Sequence, residues 1–147
     1  MIDILNDKWH KRFIDLSKHI STWSEDPSTK TGSIIVNEKA RIISLGFNGF
    51  PSGVNPSADR NVRPTKYLFY EHAERNAIYN AKTNIENCII YCTHFPCSDC
   101  ARGIIQVGIK YVIVDKIMVQ GFKERWSESM EASAKMFEEA GVKYHFW

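Results

Sequence analysis

The chain has 147 residues, 44% of them apolar and 24% charged, with a formal net charge of +2, which suits one compact domain spanning residues 1–147 with a single core. The balance of charge excludes a long polyanion-binding groove and so argues against a nucleic-acid partner, but leaves room for a local cluster that holds one phosphate. No stretch approaches the ~18 apolar residues of a membrane span, and Met1 to Asp7 lacks the basic-then-apolar order of a signal peptide, so a soluble, cytoplasmic protein is expected.

In chain order, Leu5, Trp9, Phe13, Leu16 and Ile20 recur at spacings of three and four, which predicts an amphipathic helix that ends by Asp26, before Pro27. Ser33–Val36 and Arg41–Leu45 are β-branched runs around the polar turn Asn37–Ala40, a hairpin. A long Gly- and Pro-containing loop follows from Gly46 to Tyr70, and loops of that length inside compact domains are usually functional. A helix is expected from His72 to Lys82, a buried strand over Asn87–Cys92, a helix from about Pro96 to Val107 stopped by Gly108, and a strand over Lys110–Val114. After the linker Asp115–Trp126, Ser127 or Ser129 starts a last helix closed by Gly141, and Val142–Phe146 is a final strand. Strands alternating with helices imply a layered α/β sheet with helices on both faces.

Two short segments carry the chemistry: His72-Ala73-Glu74 and Pro96-Cys97-Ser98-Asp99-Cys100. Each falls at a predicted helix start beside a strand, where helix ends meet across a sheet edge. His72, Cys97 and Cys100 supply three zinc ligands, and a catalytic zinc keeps its fourth position for water. Helix N-termini favour thiolate over thiol. Glu74, two residues beyond the His ligand, reaches the water without binding the metal and suits a proton carrier. The order His-x-Glu then Pro-Cys-x-x-Cys is the signature of zinc-dependent nucleobase deaminases.

Other readings compete. A closed structural zinc site needs a fourth ligand, for which Cys92 or His94 is near in sequence. Cys97 and Cys100 also have the spacing of a thiol redox pair, although a thioredoxin-like first βαβ unit is missing. Cys88 and Cys92, four apart on a strand, read as small core residues. Phe122, Trp126, Phe146 and Trp147 suit core packing or a subunit interface better than base stacking.

Over almost its whole length the chain resembles the deoxycytidylate (dCMP) deaminases of the cytidine-deaminase superfamily. The resemblance rests on Asp26-Pro27-Ser28 with Gly32–Val36, on Gly46-Phe47-Asn48-Gly49-Phe50-Pro51, on His72–Ile78, and on Thr93–Cys97 through Lys110. It implies a three-layer α/β/α fold around a five-stranded mixed sheet. It also implies hydrolysis of dCMP to dUMP and ammonia feeding dTMP synthesis, a homohexamer, and control by dCTP and dTTP with Mg2+ on the triphosphate. By the same match Asn48 contacts the substrate sugar, and Gly46, Phe47, Asn48 and Gly49 help form the effector pocket. Two departures stand out: Phe47 replaces a tyrosine, which removes a hydroxyl and points to altered regulation, and no arginine occurs near Ser28. Phosphate binding then falls to Ser24, Ser28, Lys30 or Lys116, although Lys30 and Lys116 are equally well solvated surface charges, and Asn48 before Gly49 is also ordinary turn chemistry. The same chemistry on free cytidine, dCTP or adenosine in transfer RNA, and a non-catalytic zinc-stabilised nucleotide-binding module, are the alternatives.

Overall fold

Alternation along the strands sorts the apolar residues onto two faces of one sheet. The computed structural model describes residues 5–119 and 127–147. Its strands are β1 (Gly32–Val36), β2 (Ile42–Phe47), β3 (Ile89–Cys92), β4 (Tyr111–Val114) and β5 (Lys143–Phe146), in spatial order β2-β1-β3-β4-β5. β1 runs antiparallel to both β2 and β3, whereas β3, β4 and β5 are parallel, so the sheet is mixed, as expected.

The helices are α1 (Asp7–Ser21), α2 (Ala73–Asn80), α3 (Ser98–Gln106) and α4 (Glu128–Ala140). Ile34, Val36, Ile89, Tyr91 and Ile113 pack against Phe13, Ile14 and Ile20 of α1. Their neighbours Ile35, Ile90, Cys92, Val112 and Val114 turn to the opposite face, where Ala77, Ala101, Ile104 and Phe137 cover them. Adjacent strand residues thus alternate between two cores, and the result is three layers with α1 on one side. Each fully buried Ile contributes on the order of 1.5–3 kcal/mol.

Local chemistry sets the helix ends. Asn6 caps α1 by accepting from the Trp9 amide, and Ser127 caps α4 by accepting from Met130. Gly141, at φ 72°, closes α4 in the left-handed conformation that favours glycine. His72 and Cys97 occupy the N-cap positions of α2 and α3, and neither side chain caps its own helix.

Several boundaries differ from the sequence reading by a residue or two, α2 among them, which spans Ala73–Asn80 rather than His72–Lys82, and four differences have a physical reason. α1 stops at Ser21, short of Asp26, because the next residues curl inward and bury Ser24 and Asp26. β2 continues through Gly46 to Phe47, so these two residues belong to a strand rather than a loop. β3 begins at Ile89, since Asn87 sits at φ 61° and breaks the extended chain. The long loop is ordered by 3-10 turns over Ala58–Arg60 and Thr65–Leu68, and a two-hydrogen-bond bridge between Gly49 and Glu71 closes it. Phe146 packs on Phe95 and Trp147 on His10, in line with core roles; Phe122 and Trp126 lie outside the described residues. Among the described residues no helix is long and apolar enough to cross a membrane.

Candidate active site

One edge of the sheet gathers the site. Register pairs Gly32 with Phe47 and Ser33 with Cys92, so the start of β1 lies beside the ends of β2 and β3. Thr31 ahead of β1, Asn48 beyond β2, and His94 and Phe95 beyond β3 therefore share the wall of one cavity of about 250 Å³. His72, Glu74 and Cys97, from the first turns of α2 and α3, line the same cavity.

Glycine allows these helix ends to come close. A Cβ on Gly46 would stand 2.4 Å from the Ala73 carbonyl oxygen and 2.4 Å from the Ala77 amide nitrogen, so only glycine lets β2 lie this near α2. Asn76 Nδ2 donates to the Phe47 carbonyl at 2.8 Å, Asn80 Nδ2 to the Leu45 carbonyl at 2.9 Å, and Ser44 Oγ to the Ala77 carbonyl at 2.7 Å. These bonds fix α2, and with it His72 and Glu74, on the sheet. Arg75 then ties α2 to α3: its guanidinium is 2.6 Å from Glu71 and 3.8 Å from Asp99.

The donor set fits a metal. His72 Nδ1 lies 3.3 Å from Cys97 Sγ and 3.5 Å from Cys100 Sγ, and the three ligand atoms all fall within 4.8 Å of one another. A tetrahedral zinc with ordinary Zn–N and Zn–S bonds requires nitrogen–sulfur edges of about 3.6 Å. Neither suggested fourth ligand joins the group: Cys92 Sγ contacts Ser33 Oγ at 3.4 Å inside the core, and His94 Nδ1 pairs with Thr93 Oγ1 at 3.0 Å. Cys88 packs in the same core as Cys92, and all four cysteines are free thiols.

The electrostatics suit metal binding and proton transfer. The Cys97 thiol is pushed down to about 4, first by its hydrogen bond with Cys100, then by His72. Cys100, the donor in that pair, is held above the ordinary thiol range. The His72 imidazole is raised by its hydrogen bond to Cys97. Glu74 is only 5% exposed, and burial pushes its carboxyl above the usual carboxylate range, a shift that favours a group required both to take and to return a proton near neutral pH.

The cavity's other wall holds groups that the sequence reading missed. Lys66 and Asp26 form an ion pair that is almost completely buried, at 3% and 4% exposure. Lys66 Nζ donates to both Asp26 carboxylate oxygens at 2.8 Å and to Ser28 Oγ at 2.6 Å, which uses all three of its protons. Asn48 joins this network: Nδ2 donates to the Thr29 carbonyl at 2.9 Å and to Asp26 Oδ2 at 3.3 Å, while Oδ1 accepts from the Thr31 amide at 2.8 Å. Both of its amide protons are used, and one Oδ1 lone pair is left for a ligand hydroxyl. Arg63, Tyr67 and Tyr70 complete the cavity's outer wall. A lysine within the aromatic run Lys66-Tyr67-Leu68-Phe69-Tyr70 and an acid before Pro27 are the only sequence signals for this pairing, and they lie 40 residues apart.

Four suggested phosphate ligands are not on the cavity wall. Lys30 and Lys116 are exposed side chains away from it. Ser24 is buried and accepts from the Asp26 amide, and Ser28 is bonded to Asp26 and Lys66, so both serve the network behind the wall. Of the suggested effector residues, Gly46 is buried against α2 and lines neither the first cavity nor the second one described next. Phe47, Asn48 and Gly49 do line a second cavity of about 330 Å³ with Trp23 and Phe50, and Asn48 and Tyr70 belong to both cavities.

The comparisons with known proteins agree with this geometry. The chain is 47% identical over 135 residues to an uncharacterized deaminase from the luxG 3′ region of Aliivibrio fischeri, spanning 92% of this chain and 90% of that one. It is 34% identical over 146 residues to human deoxycytidylate deaminase, spanning 93% of this chain and 78% of the human protein. The fold superimposes with a TM-score of 0.75 on the dCMP deaminase of cyanophage S-TIM5, solved in complex with dCMP and dUMP, at 24% identity over 97% of this chain and 99% of that one. Residues 7–116, which hold both helix-start motifs, match the family described as the cytidine and deoxycytidylate deaminase zinc-binding region, and the chain belongs to that family.

Proposed function

We propose that the chain hydrolyses dCMP to dUMP and ammonia, with zinc held by His72, Cys97 and Cys100. The observation that carries this reading is the buried Glu74 carboxyl, which lines one cavity with His72 and Cys97 at the mouth of the three-ligand group. The identity to human deoxycytidylate deaminase supports the choice of substrate.

Zinc bound at such a site lowers the pKa of a water molecule towards neutrality. With zinc held there, Glu74 would take a proton from the attacking water and place it on N3 of the cytosine ring as the oxygen adds to C4. The same carboxylate would then take the remaining hydroxyl proton on C4 and deliver it to the amino group, which leaves as ammonia while the C4 carbonyl forms, so water is consumed and no other reactant is required. Burial raises the carboxyl's pKa, which makes Glu74 a stronger base for the water's proton and brings its acid and base forms closer in energy near neutral pH. Asn48 Oδ1 offers its remaining lone pair to a sugar hydroxyl, and its other bonds hold it in place.

The second cavity, with Phe47, Asn48 and Gly49 in its wall, offers room for an effector; control by dCTP and dTTP with Mg2+ on the triphosphate, in a homohexamer, rests on the family resemblance alone. Phe47 cannot donate the hydroxyl hydrogen bond of a tyrosine, so the response to these nucleotides is expected to differ. Four free thiols suit a reducing, cytoplasmic setting.

The Glu74→Gln variant tests the reading. It retains zinc, measured by atomic absorption, and an unchanged circular dichroism spectrum, while ammonia release from saturating dCMP falls by about 10²–10⁴-fold. A variant that keeps zinc and turns over within tenfold of wild type refutes the proton-carrying role.

A further inference from the structure

The cavity runs from the buried Glu74 to an outer wall where Arg63 and Tyr67 are exposed. A nucleotide whose base lies against Glu74 carries its phosphate towards that outer end. Among the described residues, the cavity wall contains two side-chain cations that are charged at neutral pH irrespective of histidine protonation, Lys66 and Arg63. They are not equivalent. Lys66 has spent its three protons on Asp26 and Ser28, and its charge is cancelled by the Asp26 carboxylate. Arg63 has no carboxylate partner among the described ion pairs. Its Nη2 makes one long contact of 3.4 Å to Thr29 Oγ1, and its guanidinium lies 6.0 Å from the Tyr67 ring. The net positive charge at the cavity mouth therefore sits on the one guanidinium whose remaining donors are unused.

We propose that Arg63 recognises the 5′-phosphate and sets the preference for a nucleoside monophosphate over the free nucleoside. The assignment rests on the dCMP reading above. A planar guanidinium matches a phosphate oxygen pair in two parallel hydrogen bonds, and Thr29 Oγ1 holds it at the cavity rim. The Lys66–Asp26 pair contributes by neutrality: with Asp26 compensated, no net negative charge at that wall opposes the phosphate. This also accounts for the missing arginine near Ser28 in the sequence, because the cation comes from the far side of the loop, 34 residues beyond Thr29.

The test compares dCMP with deoxycytidine as substrates for the full-length zinc-loaded enzyme. In the Arg63→Ala variant, kcat/KM for dCMP falls by roughly 10–100-fold through KM, whereas the value for deoxycytidine changes by less than about threefold. Arg63→Lys recovers part of the dCMP loss, since charge returns without the paired geometry. Lys30→Ala, which removes one exposed positive charge away from the cavity, leaves the ratio unchanged. As a readout independent of turnover, calorimetric binding of dUMP weakens in Arg63→Ala and that of deoxyuridine does not. Equal losses for dCMP and deoxycytidine, or no loss for either, overturn the Arg63 assignment and leave the deaminase reading intact. A wild-type enzyme inert towards both substrates overturns the deaminase reading and the assignment with it.

Discussion

Gly46→Ala tests whether the site is placed by the contact between β2 and α2. The new methyl would stand 2.4 Å from both the Ala73 carbonyl oxygen and the Ala77 amide nitrogen, and 2.9 Å from the Asn76 carbonyl carbon, all backbone atoms of one helix. An ordinary contact needs at least 3.4 Å, so α2 must retreat by about 1 Å or the strand must bend away. Retreat strains the Asn76–Phe47 and Asn80–Leu45 hydrogen bonds and moves His72 and Glu74 relative to Cys97 and Cys100. Overpacking of this kind costs about 1–3 kcal/mol, and a displacement near 1 Å at reacting groups costs about 10²-fold in rate. Urea unfolding and ammonia release are the assays. Gly49→Ala is the control for stability, because a methyl at that position would have nothing within 4 Å and the Gly49 backbone is not left-handed. If Gly46→Ala matches wild type within about 0.5 kcal/mol, the size of ordinary surface substitutions, and within about twofold in kcat, the close approach does not position the site.

Two further outcomes concern stability. Asp26→Asn leaves the Lys66 ammonium buried without a carboxylate, a loss of about 3–5 kcal/mol read as a lower urea midpoint at pH 7. Burial raises the Asp26 carboxyl, but Lys66 and the Ser28 and Thr29 amides outweigh it and hold the group below its ordinary 3.8. A depressed carboxylate contributes stability above its unfolded pKa and loses it as pH falls through the folded one, so the gap between wild type and variant narrows below about pH 4; a gap that stays constant from about pH 3 to pH 7 contradicts the pairing. Gly103→Ala, inside α3, meets Ile78 Cδ1 at an ordinary 3.6 Å and stabilises by about 0.5–1 kcal/mol through helix propensity, and a destabilised variant would show that α3 and α2 pack more tightly than this distance implies.

The metal group was readable from the sequence because each half is a local signal. His72 and Cys97 fall where helices begin, and a helix start fixes where the next few side chains point, so Glu74 and Cys100 follow from short spacings. The sheet was readable for a similar reason: Ile34–Val36 and Ile89–Cys92 are fully buried runs bounded by turn chemistry. The errors came where one residue's meaning depends on a distant element. Gly46 reads as loop glycine in isolation, and only its distance to Ala73 and Ala77 makes it a strand residue under a helix. Lys30 and Lys116 are as basic in sequence as Lys66, but the fold leaves them exposed and turns Lys66 inward to Asp26.

This division has a physical basis. Metal chemistry requires soft and imidazole donors at fixed spacing, and few other needs place those residue types together. The opposite wall of the cavity is built from Asp26, Thr29, Asn48 and Lys66, residue types that serve equally as caps, turns and solvated charges. Their role is set by the closure of the loop between β2 and α2 onto the segment before β1, through Asn48 to Thr29 and Thr31 and through Lys66 to Asp26. The metal-binding half of the site is thus encoded over a few residues, whereas the opposite wall of the cavity exists only once that loop has closed. A chain can therefore keep the geometry of His72, Glu74, Cys97 and Cys100 while its opposite wall changes, and under the assignment proposed above Arg63, carried on the same loop, is where the preference for a phosphate is expected to be set.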